Sequence, residues 1–150
     1  MTDATGGLDD DAAGSEAAAE AEAAAAAEAA ARPRILADTA ALAAATGDPD
    51  ARGAVWRLEP EERHLDANVI ALPPGERIDE HAGPDEDVLL HVLAGSGLLR
   101  SADVELQLAA GALVWLPRRS RRAITAGADG LRYLSVHRRK GGLQVGRREP

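Results

Sequence analysis

From Gly53 onward the chain alternates between short apolar runs and turn residues, with a break about every ten positions. The runs are "GAVWRL" (53–58), "DANVIAL" (66–72), "DVLLHVL" (87–93), "GLLRS" (97–101), "VELQL" (104–108), "ALVWL" (112–116), "RRAIT" (121–125) and "LRYLSVH" (131–137). Between them stand "PPGE", "AGPDE", "AGSG", "SAD", "AAG", "PRRS" and "GADG". Short strands with this punctuation predict an all-β sandwich or barrel. "VELQL" alternates apolar with polar, so one of its faces meets water. "ALVWL" and "DVLLHVL" are nearly continuous, and strands apolar on both faces need cover on both. The barrel interior supplies one cover, and a second sheet or a second subunit the other.

Upstream the period changes. "AAGSEAAAEAEAAAAAEAAAR" (12–32) is rich in the best helix former, with Glu16 and Glu20 near its start, where the helix dipole favours acids. It has no Leu, Ile or Val stripe with which to dock, which predicts a solvated tail, disordered or partly helical. The stretch 37–49 differs. Leu36 and Leu42 give it an apolar side, Asp38 or Thr39 an N-cap, and Gly47 with Pro49 a stop, so it reads as one short docked helix. The division expected is a low-complexity acidic tail over 1–34, a helix and linker over 35–52, and a β-barrel over 53–146.

The chain has 150 residues, enough for one domain with a real core. Its first 31 residues hold eight acids and no Lys or Arg, equal to the formal net charge of −8, so the remainder is neutral. Within that remainder, 32–116 carries 15 acids and 7 bases, and 117–150 carries 2 acids and 10 bases. A bipolar domain follows, not a nucleic-acid binder by bulk charge. The absence of cysteine excludes disulfides and thiolate metal sites. An acidic start and an interrupted Ala run predict neither a signal peptide nor a membrane span, and hence a cytoplasmic protein.

The stretch Gly75–Gly97, "GERIDEHAGPDEDVLLHVLAGSG", sets His81 six residues after Gly75 and closes on Gly95 and Gly97. Further on, Pro117 follows Gly111 by six. These spacings resemble the two motifs of the cupins, small double-stranded β-helix (jelly-roll) barrels, over residues 75–126, and the strand pattern extends the likeness from about 53 to 140. The resemblance implies a barrel whose mouth holds a divalent metal on three histidines and a glutamate. Here only His81 remains of those four. Gly83 stands at the second His, Val88 at the Glu and Arg122 at the last His, while Arg119 replaces a Gly and Ala126 an Asn.

One imidazole does not hold a divalent ion, and a guanidinium repels one, so neither metal nor cofactor is expected. Strand alternation turns Asp87 and His91 outward if Val88 faces in. A site rebuilt from His81, His137 and turn carboxylates such as Asp85 and Glu86 remains the metal alternative. His81 is a hydrogen-bonding or proton-transfer candidate. Arg122, if buried, requires an anion. With Tyr133 and His137 these are the ligand-binding candidates, and no catalytic residue is assigned. The basic run "PRRSRR" (117–122) is either a solvated loop, a partner for the acidic 79–87 in the same or another subunit, or an anion trap. Nucleic acid is not expected, since no aromatics interleave with the bases and there is no recognition helix. Trp56 and Trp115 read as core or interface packing. The function expected is a metal-free cupin-like module that binds a small polar or anionic molecule or serves as a homodimeric accessory protein. The alternative is a cupin-type enzyme, an isomerase, epimerase or metal-dependent oxygenase, since some sugar-modifying relatives use a His and a Tyr without metal.

Overall fold

The computed structural model of the chain describes residues 10–141. The first nine residues of the expected tail, and 142–146 of the expected barrel, lie outside the described residues. Contacts divide the chain into two compact units at Ile35 and Leu36. The first contains α1 (Asp10–Ala30), whose described side chains are all exposed, as its missing apolar stripe requires. Its end carries local contacts, a surface pair of Arg32 with Glu28 at 3.0 Å and an Arg34 bond to the Ala30 carbonyl at 3.2 Å. No helix among the described residues is long and apolar enough to cross a membrane.

The second unit opens with α2 (Thr39–Ala43), capped by the Asp38 carboxylate, which accepts from the amides of Ala40 and Ala41. Seven strands follow: β1 (Gly53–Arg57), β2 (Leu65–Leu72), β3 (Arg77–Ala82), β4 (Val88–Ser101), β5 (Val104–Ala109), β6 (Leu113–Leu116) and β7 (Arg121–Arg138). They form one antiparallel sheet in the order β1-β2-β7-β4-β5, with β3 added on β7 and β6 on β4. Register shows how it closes. The first half of β4, Val88 to Gly95, pairs with the last half of β7, Leu131 to His137, while Gly97 to Arg100 pair with Ala123 to Ala126. β4 and β7 thus run through both layers of a jelly-roll barrel, bending at glycines where the register shifts. At one bend a side chain on Gly97 would stand 2.7 Å from the Thr125 carbonyl oxygen.

Two sequence expectations need correction here. The runs 87–93 and 97–101 are one strand, as are 121–125 and 131–137, because glycines here bend strands without ending them. β3 was not anticipated: "RIDEHA" is polar and mostly exposed, and it is a strand because β7 offers its backbone a partner.

The barrel interior is filled by Leu72, Val88, Leu90, Val92, Leu99, Leu108, Leu116, Ile124, Ala126, Leu131 and Tyr133. On β4, Val88, Leu90 and Val92 point in, leaving Leu89 exposed and His91 half-buried on the outer face. That outer face is only partly covered. Arg132 is buried beneath the α2 segment, donating to the carbonyls of Leu42 and, at 3.0 Å, Ala45, which fastens residues 42–45 to the barrel. Leu89, Leu113 and Trp115 remain exposed. Trp115 is therefore not a core residue, and Trp56 is half-buried.

Candidate functional site

β3 and β7 place His81 and Arg122 directly opposite each other in register. Side chains so placed are near neighbours on one face. Both line a cavity of about 130 Å³ inside the barrel, together with Tyr133 and Ser135 from the other half of β7. The rest of its wall is aliphatic: Ile78, Val88, Leu90, Leu116 and Ile124. Larger hollows exist, one of about 740 Å³ between Glu61–His64 and Arg138–Gly141. It is an open hollow of charged, largely exposed side chains, two of which are engaged locally: Arg63 with Asp66 at 2.8 Å and Arg139 with the Glu61 carbonyl. Among the described residues, the small interior cavity is the one that brings His81, Arg122 and Tyr133 together.

Arg122 is 8% exposed and has no carboxylate partner among the described residues. The only hydrogen bond from its guanidinium there is a long one, 3.5 Å, to the Ser120 hydroxyl. Gly83 explains how it fits: a side chain at that position would collide with Nη1 of Arg122 and stand 2.7 Å from its Cζ. The guanidinium thus occupies the room that glycine leaves open. Burial pulls its pKa below the usual arginine value, and the nearby Tyr133 acts in the opposite sense.

Burial pushes the Tyr133 hydroxyl up from 10.0 to about 12, with the charge of Arg122 opposing the rise. It therefore stays a hydrogen-bond donor at neutral pH. Because the folded value exceeds the unfolded one, stability present below pH 10 is lost as pH rises toward 12, by about 2–3 kcal/mol. Tyr133→Phe removes this loss, so between pH 10 and 12 its unfolding free energy should fall by about 2 kcal/mol less than that of wild type in urea titrations. Equal losses would show a solvated hydroxyl.

His81 is exposed at the rim, with Nδ1 2.9 Å from the Asp79 carbonyl oxygen. That contact makes Nδ1 the protonated nitrogen of the neutral ring and leaves Nε2 as the acceptor. His137 is not among the cavity residues: it lies opposite Val88 at the end of β7, with its Nδ1 2.9 Å from the Arg138 carbonyl oxygen. Around the rim the basic run meets the acidic one within the same chain. Arg119 pairs with Asp85 at 2.7 Å, Arg121 with Glu80 at 3.2 Å, and the Arg118 amide donates to Asp87 at 2.9 Å. Arg119 first, by hydrogen bond and then by charge, holds the Asp85 carboxyl below the usual carboxylate range. Arg119 itself sits at φ 59, keeping the left-handed turn that the resemblance gives to glycine. Oε2 of Glu86 is buried with no hydrogen-bond partner, and nothing among the described residues accounts for it.

No protein-family model and no curated protein matches the sequence. Solved structures do match in architecture. The Bacillus halodurans protein BH2720 aligns with a TM-score of 0.57 at 16% identity, over 75% of this chain and 85% of that one. The cupin domain of Schizosaccharomyces pombe Cnp3 aligns at 0.51 and 17% identity over 57% of this chain, which spans 59% of that domain. A Bacteroides fragilis cupin protein aligns at 0.50 and 20% identity, over 61% of this chain and 82% of that one. The chain has the cupin fold.

At the positions to which the motif resemblance assigns metal ligands, the residues present do not suit a metal. Val88 points inward with an aliphatic side chain, and Asp87 and His91 lie on the other parity, as alternation requires. The space at Gly83 is taken by a guanidinium. Among the described residues no three His, Cys, Asp or Glu side chains come together. A cation would meet one imidazole and a buried positive charge.

Proposed function

We propose that this cupin-fold chain is a metal-free binding module whose barrel takes a small anionic molecule on Arg122, with His81 and Tyr133 as flanking hydrogen-bond partners. One observation carries the reading: a buried guanidinium, seated against Gly83, lines an interior cavity with no carboxylate among the described residues to balance it. Proteins rarely leave a buried charge in this condition, and an arriving anion converts the cost into charge-assisted hydrogen bonds of about 1.5–3 kcal/mol each. His137 would touch only a ligand long enough to leave the cavity. In thermal shift assays with small carboxylates, phosphate and sulfate, at least one anion should raise the melting temperature of wild type and leave Arg122→Met unmoved. An anion response of equal size in both proteins would remove Arg122 from the site.

We also propose that the chain works as a homodimer through the uncovered outer face of the sheet. There the exposed Trp115, Leu89 and Leu113 lie across β6 and β4, with half-buried Val136 and Leu134 beside them on β7. Such a contiguous apolar surface is more than scattered exposure, and two-fold pairing is the commonest way to cover one. Sedimentation at tens of micromolar should give a dimer that Trp115→Glu dissociates; a wild-type monomer in low and high salt alike would refute it.

A further inference from the structure

The geometry of the cavity restricts which anion the site takes, an inference that rests on the binding reading above. Its volume of about 130 Å³ compares with ~30 Å³ per liquid water and with the ~150 Å³ of a cavity that holds one benzene. A nucleotide or sugar phosphate does not fit inside. Charge is equally restrictive. Among the described residues Arg122 is the one guanidinium that lines the cavity, and Arg119 and Arg121 outside it face Asp85 and Glu80, at 2.7 and 3.2 Å. A monoanion is balanced by it, whereas a dianion keeps one charge buried and unpaired.

The remaining wall is formed by five aliphatic side chains, among them Val88, Leu116 and Ile124. Sulfate or phosphate gains nothing from such a wall, while an alkyl tail gains by leaving water. We infer that the cavity binds a short aliphatic monocarboxylate of about three to five carbons, its carboxylate on Arg122 and its tail against the aliphatic wall. A planar carboxylate matches the guanidinium fork in a way that a tetrahedral oxyanion with no tail does not improve upon. The Tyr133 and Ser135 hydroxyls complete the polar end.

Calorimetric titration of the full chain with formate, acetate, propionate, butyrate and octanoate tests this, with sulfate, phosphate and butyramide alongside. Affinity should rise about fourfold per added methylene up to butyrate, then fall at least tenfold at octanoate. Sulfate and phosphate should bind at least tenfold more weakly than butyrate, and neither butyramide with wild type nor butyrate with Arg122→Met should bind measurably. If sulfate or phosphate binds in an Arg122-dependent way and the carboxylates show no dependence on length, the ligand class is wrong and the anion site stands. If no anion binds, or butyramide matches butyrate, both readings fail.

Discussion

Gly95→Ala should lose about 4 kcal/mol or more, a large part of an ordinary domain's margin of about 5–15 kcal/mol, while Gly75→Ala should lose only about 1 kcal/mol. Both glycines lie at positive φ, 79 and 73, so a side chain at either position pays the left-handed backbone cost. They differ in what surrounds them. Around Gly75 a new methyl meets nothing within 4 Å. At Gly95 it would collide with the Gly130 carbonyl oxygen, stand 2.8 Å from that carbonyl carbon, and press on Thr46 at 3.0 Å. Backbone cannot rotate away as a flexible side chain can, and this backbone is the place where β4 and β7 bend together. Denaturant unfolding followed by circular dichroism, supplemented by soluble yield for Gly95→Ala, reads both costs. Similar losses for the two variants would mean that the bend yields and that the close crossing does not hold the barrel together.

That pair also shows what the sequence made legible. Glycine spacing and apolar runs marked the barrel and its corners, because both report local backbone and side-chain requirements. Alternation set Val88 and Asp87 on opposite faces without saying which faced in, and the motif positions singled out His81 and Arg122 without bringing Tyr133 to them; the cavity that all three line is legible only in three dimensions. β3 was illegible because its polar residues carry no periodic signal, and only the partner strand makes them a strand. Arg132 was illegible for a related reason: the carbonyls that bury it belong to Leu42 and Ala45, some ninety positions away along the chain. Gly83 carried the most hidden information. As a missing histidine it reads as a loss, yet in three dimensions it is the recess that admits the Arg122 guanidinium.

Arg122→Met should therefore make the ligand-free protein more stable, by about 1–2 kcal/mol or several degrees in melting temperature. Methionine keeps most of the length and the packing of the arginine stem, and it removes a charge that burial already destabilises. A residue kept only for the fold would behave in the opposite way, since its loss would leave a hole or an unpaired acceptor. Here the single hydrogen bond given up, to Ser120, is long and half-buried, so little is lost with it. Gly83→Ala probes the same contact from the other side: its methyl must push the guanidinium out of its seat, which should weaken anion binding without deleting the charge. Scanning calorimetry in an anion-poor buffer measures the first effect. If Arg122→Met melts at or below the wild-type temperature, the guanidinium is already satisfied by protein or water and needs no anion to balance it.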